Sequence, residues 1–323
     1  VYRTGPPAAG EASEASGASE ASGGPLRIAR AGRQAFTGSS PAALDPMLGV
    51  YLSDLAAPFG LTLRADLLAE GRGQSYGEMA GALVARTVPP GSPVDLLVLA
   101  FAIHDVIPGR STAAHLSRLC PGEPMAFAIC DQGTAAPFAG LRLIREYSRT
   151  PQCHRALLAI VEQDTLHYDL AGPGPVPARS AAVMLLCDQE GPGGLRAVRQ
   201  YPGTSADRAG DLLAARLTVL TAGRDDVTLI VGRALARPGT GTRTTPLSAA
   251  LPAGSEVIVA PDGQPVTGVW WELAGGLADW TARGRRVLLA DYEPALRYLC
   301  VSAIDLAPGP PAAAPRRPAH AVP

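Results

Sequence analysis

The chain has 323 residues, 47% of them apolar and 18% charged, which is long enough for two domains or one large duplicated domain and apolar enough to bury an extensive core. Its 28 basic and 29 acidic residues leave a formal charge of −1, which argues against a nucleic-acid binder and a polybasic membrane-surface protein. Five scattered cysteines (Cys120, Cys130, Cys153, Cys187, Cys300) with no C-x-x-C pair fit reduced thiols, not a disulfide framework or a structural zinc site.

No apolar run reaches the ~18–20 residues of a membrane span, and residues 1–25 carry no signal-peptide core, so a cytoplasmic protein is expected. Lysine and asparagine are both absent, so every basic residue is arginine. That composition excludes Schiff-base chemistry, a P-loop lysine and any triad that requires asparagine. No cofactor and no metal are expected.

In chain order, residues 1–25 are low-complexity Ala/Ser/Glu/Gly and are expected to be disordered. A helix is predicted over 76–87, a strand over 96–102, a helix over 111–119, a strand over 125–129 and a helix over 135–147. Strands follow over 156–161 and 181–186, separated by a Gly/Pro loop at 172–177. A helix over 206–220, a strand over 228–231 and a loop over 238–246 come next. Strands over 256–260, 287–290 and 298–304, with a helix over 266–283, complete the pattern before a Pro/Ala tail over 307–323. Short apolar runs alternating with longer helical ones are the α/β signature.

An internal repeat divides this pattern. Asp95-Leu-Leu-Val-Leu reappears 131 positions later as Asp226-Val-Thr-Leu-Ile. Ala126-Phe-Ala-Ile with Asp131 matches Val257-Ile-Val-Ala with Asp262, and Leu157-Leu-Ala matches Leu288-Leu-Ala, at the same offset of 131. Three segments at one ungapped offset describe two copies of one α/β unit, placed at 26–178 and 179–306.

Several motifs have an ordinary structural reading. Gly73-Gln-Ser75-Tyr-Gly77 satisfies G-x-S-x-G, but no apolar strand precedes it, and Ser75 with Glu78 reads as a capping box. His154 and His167 lie near Cys153, Glu162, Asp164 and Asp169 without metal-ligand spacing and read as polar residues flanking a strand. Trp270, Trp271 and Trp280 fall on a helical pattern and read as core or interface. The turn at Cys130–Gly133 is different. An apolar strand enters it and a helix leaves it, so the turn residues sit at a helix N-terminus, where free N–H groups and the helix dipole favour an anionic nucleophile or a developing oxyanion.

Residues 94–144 carry Asp95-Leu-Leu-Val-Leu-Ala, His104-Asp105, Pro108, Ser111-Thr-Ala-Ala, Leu119 and Ala126-Phe-Ala-Ile in that order. This series resembles the condensing enzymes of the β-ketoacyl-acyl-carrier-protein synthase III type. Weaker pieces at 156–162, 180–186 and Gly284-Arg-Arg-Val-Leu-Leu-Ala extend it over about 60–306. The resemblance implies the thiolase fold, two duplicated βαβαβαββ halves in a layered α-β-α-β-α arrangement. It also implies a Cys-His-Asn site, which this chain does not supply: the cysteine position falls on Gly133 or Gln132, the histidine position on Gly232-Arg233, and the asparagine position on Gln264. No histidine stands between Tyr168 and His320.

Three functions follow from the resemblance. The first is a catalytically silent, ketosynthase-III-like partner subunit of polyketide or fatty-acyl secondary metabolism, dimeric with itself or with an active condensing enzyme. The second is an acyltransferase on acyl-CoA or acyl-carrier protein with a relocated site at Cys130, His104 and Asp131. The third is a non-enzymatic acyl-binding or scaffold protein.

Overall fold

The computed structural model describes residues 26–169, 176–236 and 247–307. The low-complexity segment 1–25, most of the loop at 172–177, the whole of that at 238–246, and nearly all of the tail at 307–323, His320 included, lie outside the described residues.

The elements run β1 (Arg27–Phe36), α1 (Pro46–Ala56), α2 (Ala65–Ala69), α3 (Tyr76–Thr87), β2 (Leu96–Ala100), α4 (Thr112–Leu119), β3 (Met125–Ile129), α5 (Ala136–Tyr147), β4 (Arg155–Glu162) and β5 (Ser180–Asp188). They continue with β6 (Gly193–Tyr201), α6 (Ala206–Thr221), β7 (Val227–Val231), α7 (Arg233–Ala236), β8 (Glu256–Val259), α8 (Gly268–Ala282), β9 (Arg286–Glu293) and β10 (Tyr298–Leu306).

Strand order is β3-β2-β4-β5-β1-β6-β10-β9-β7-β8. Taken from its outer edge inward, each half has the same order, with β6 to β10 standing for β1 to β5. In each half the three edge-side strands are parallel and the next two antiparallel. The halves meet where β1 pairs β6 through Arg27–Gly194 and Ile28–Gly193.

The repeat is exact at the level of elements: β2, β3 and β4 begin 131 residues before β7, β8 and β9. The topological boundary therefore lies between Asp188 and Gly193, and the division at 178/179 falls one strand early. The sequence pattern puts β5 in the second half, whereas its partners are β4 and β1. Its nine residues are almost wholly buried and carry no mark of which neighbour they pair with.

Helices α5 and α8 form the middle of the molecule. α5 packs on β2 and β4 of one half and on β6 and β10 of the other, and α8 packs on β1 and β5 and on β7 and β9. One core cluster runs through both halves around them. Separate cores lie under α3 and α4 on one outer face and under α6 on the other. The result is the α-β-α-β-α layering. Trp270 of α8 is fully buried, with its ring edge-on to Phe138 of α5 at 4.8 Å. Trp280 is also in the core, and Trp271 lies between the guanidinium groups of Arg33 and Arg179 at 4.9 and 4.8 Å.

The Ser75 reading as a cap holds. Its side chain accepts from Glu78 N at 3.1 Å, and the Glu78 carboxylate accepts from Ser75 N at 3.0 Å, which opens α3. No described helix is long and apolar enough to cross a membrane.

Candidate active site

The parallel strands end where α5 and α8 begin, so the site is built from strand ends and helix starts. Along β4, Leu157, Ala159 and Val161 face the outer core, while Leu158 and Ile160 face the central helices. Alternation then puts Glu162 on the central face. The same alternation in β9 puts Val287 and Leu289, and hence Asp291 and Glu293, on that face.

Glu162 and Glu293 stand 131 residues apart and perform reciprocal tasks. Glu293 accepts from Thr134 N at 2.9 Å at the start of the 3-10 turn Gly133–Ala135 that leads into α5. Glu162 accepts from Val266 N at 2.9 Å and from the Thr267 hydroxyl, just before α8. Each carboxylate thus satisfies free N–H groups at the central helix of the opposite half, with the favourable sign for the helix dipole. Burial pushes the Glu162 carboxyl up to about 7, against the lowering influence of its Thr267 and Val266 hydrogen bonds and of the Arg179 charge.

Asp291 is buried, with Tyr292 N donating to Oδ1 at 2.8 Å, and burial together with the nearby Glu293 and Glu162 charges raises it to about 8. The sequence reading names only Glu162, as a polar residue flanking a strand, and does not single out Asp291 or Glu293. The repeat could have paired Glu162 with Glu293, because the match at Leu157 and Leu288 extends at the same offset to Arg155 with Arg286 and to Glu162 with Glu293.

The predicted site residues distribute as follows. Gly133, with φ +52°, opens the turn before α5, and Gln264 stands at the matching place before α8. Gln132 precedes that turn and makes no side-chain hydrogen bond there. Gln264 is buried, accepts from Arg179 and donates to Thr267 Oγ1 at 2.9 Å, which ties it to the Glu162 cap. Arg233 pairs with Asp262 at 2.8 Å on the surface, so Gly232 and not Arg233 faces the central acids.

Cys130 is exposed and its thiol donates to Asp131 Oδ2 at 3.4 Å. Partial burial and the Asp131 carboxylate both raise that thiol, the reverse of what activates a nucleophile. His104 is occupied elsewhere: its ring nitrogens meet the Tyr168 hydroxyl at 2.6 Å and the Asp105 carbonyl at 2.8 Å. Among the described residues no hydrogen bond joins Cys130 to His104.

His167 bonds the Arg72 carbonyl at 2.9 Å and His154 bonds Gln189 at 3.1 Å. No group of three His, Cys, Asp or Glu among the described residues is placed to hold a metal ion. A cavity of about 380 Å³ opens between the starts of α3 and α4, lined by Ser75, Glu78, Asp105, Arg110, Thr112 and His115.

The duplicated five-strand halves around a buried helix pair define a protein of the thiolase fold. Solved structures confirm it at low identity. AbyA1, a tetronic acid condensing enzyme, superposes with a TM-score of 0.57 at 16% identity, covering 87% of this chain and 99% of its own. ChlB3, described as an acyltransferase, gives 0.54 at 17%, covering 88% of this chain and 98% of its own. OleA of Xanthomonas campestris, with lauric acid and lauroyl-CoA bound, gives 0.54 at 12%, covering 87% of this chain and 99% of its own. No family profile and no curated protein sequence matches the chain.

Proposed function

We propose that this chain is a ketosynthase-III-like subunit of acyl-thioester metabolism, in a polyketide or fatty-acyl secondary pathway, and that it is catalytically silent by itself. It works as one half of a dimer, with itself or with an active condensing enzyme, in contact with acyl-carrier protein or acyl-CoA. The observation that carries this reading is the turn before α5. Gly133 stands at the acyl-acceptor position of the resemblance, and the Glu293 carboxylate lies on the Thr134 N–H beside it. Glycine and glutamine offer no nucleophile, and a chain without asparagine cannot complete a Cys-His-Asn site. Transfer through Cys130 is disfavoured by its raised thiol and by the engagement of His104 with Tyr168.

The free edge of β3 supports the dimer. Among the described residues this strand pairs only with β2; it exposes Met125 and Ala128, and half-buries Phe127 against Tyr147 at 6.2 Å between ring centres. An unpaired apolar edge of this kind is a liability unless another chain covers it.

The test is intact-mass analysis after incubation with acyl-CoA and with acyl-carrier protein, where no covalent acyl group is expected. A thioester mapped to Cys130 would overturn the silent reading. Light scattering at micromolar concentration should find a dimer, and Phe127→Asp should dissociate it by placing an unpaired charge in the seam. A monomer unaffected by that substitution would remove the partner-subunit reading.

A further inference from the structure

The resemblance gives the nucleophile position to Gly133 or Gln132 and the histidine position to Gly232-Arg233, and the glycine of each pair shares a feature. At Gly133 and at Gly232 the space a side chain would need is filled by a carboxylate of β9. A Cβ built on Gly133 overlaps the Glu293 carboxylate and stands 3.1 Å from its Cγ. A Cβ built on Gly232 overlaps Asp291 Oδ1 and stands 2.7 Å from Oδ2, inside the 3.0 Å that real Cβ atoms keep. The two acids are two residues apart on one strand and share its central face, so a single element supplies both obstructions.

Neither acid is free to turn aside without loss. Glu293 is anchored at both oxygens, Oε2 by Thr134 N at 2.9 Å and Oε1 by Ala295 N at 3.1 Å. Asp291 is short and 5% exposed, and its strand is pinned from the opposite face by Tyr292, whose hydroxyl donates to the Thr204 carbonyl at 2.8 Å. Beside them the hydroxyl of Thr134 is buried with no hydrogen-bond partner, an exception among buried polar groups.

We propose that Asp291 and Glu293 form a plug that holds positions 133 and 232 free of side chains and keeps the Thr134 N–H occupied by an internal anion. An acyl thioester carried at position 133 would meet the Glu293 carboxylate in the same space and is thereby denied the turn. The centre is filled by its own carboxylates and not merely stripped of its nucleophile. The meaning of the plug for acyl chemistry rests on Gly133 being the acyl-acceptor position; the plug itself does not.

The test uses the full chain with Cys130→Ser, which removes the exposed thiol and leaves the four buried ones. Gly133→Cys should be alkylated by iodoacetamide about tenfold more slowly than Gly133→Cys with Glu293→Ala, because only the latter vacates the turn. Gly232→Ala should lower Tm by about 5 °C or more with Asp291 present and by about 2 °C or less with Asp291→Ala. Equal alkylation of the two cysteine variants, or an equal cost of Gly232→Ala in both backgrounds, would overturn the plug. If Gly133→Cys does not fold, the Gly232 and Asp291 cycle decides alone. Incubating the opened double variant with lauroyl-CoA separates the two readings. Fast alkylation without acyl transfer upholds the plug and counts against the acyl-acceptor assignment of position 133.

Discussion

Glu162→Gln isolates the energetics of the buried acids. Glu162 is 1% exposed and lies between Val266 N and the Thr267 hydroxyl. Its carboxyl titrates near 7 in the folded chain against 4.5 without burial, so the folded state holds a proton that the unfolded state has released. Stability from this group is therefore fully present below about pH 4.5 and is lost as pH rises through about 7. The interval from 4.5 to about 7, at ~1.4 kcal/mol per pH unit, amounts to about 3 kcal/mol. Glutamine has nearly the same shape, accepts from Val266 N through its carbonyl and does not titrate.

Urea denaturation of both proteins at pH 5 and pH 8 should show the variant gaining up to about 3 kcal/mol on the natural protein at the higher pH. Any pH-independent cost of the amide cancels in that comparison. Asp291 also titrates in this range, but the Glu162 charge is the smallest of the causes acting on it, so most of its contribution cancels too. A stability difference between the two proteins that stays constant within about 0.5 kcal/mol from pH 5 to pH 8 would refute the assignment.

Two further outcomes follow from packing and capping. Trp270→Ala removes the largest fully buried side chain from the helix pair that joins the halves, and should cost about 3–5 kcal/mol, read as a lower urea midpoint at unchanged m-value. Ser75→Ala breaks one arm of the capping box on α3 and should cost about 1 kcal/mol by the same measurement.

How legible each element was depended on how many of its faces are buried. β2, β4, β5 and β7 are covered on both faces and read in the sequence as unbroken apolar runs. β1 and β6 were missed. Arginines at 27, 30, 33, 196 and 199 break their runs, and their burial is partial along most of their length. α1 was missed although Asp45 followed by Pro46 is a legible start, with Asp45 Oδ1 accepting from Met47 N at 2.9 Å. It buries Leu48, Leu52 and Ala56, but Met47, Val50 and Tyr51 on its exposed face are apolar too, so no amphipathic stripe stands out in the sequence. At the site, Gly133 and Gln264 are reached through the family resemblance, and the repeat pairs them at the offset of 131. The acids are not, because a carboxylate at the end of an apolar strand reads as solvated until the helix it caps is in place.

The repeat also shows which part of the site has departed from the common plan. Glu162 and Glu293 keep one duty on both sides of the pseudo-axis, each closing the helix start of the opposite half, so that pair belongs to the architecture. Asp291 does not: counting back 131 positions reaches Ile160, a fully buried apolar residue of the central core. A buried acid where the other half carries isoleucine is costly to desolvate, and nothing in the helix capping requires it. What it does instead is occupy the side-chain space of Gly232, while its neighbour on the strand occupies that of Gly133. The asymmetric acid and the two glycines therefore form one local substitution of the shared design. This departure from the repeat lies at the end of β9, opposite the turn that leads into α5.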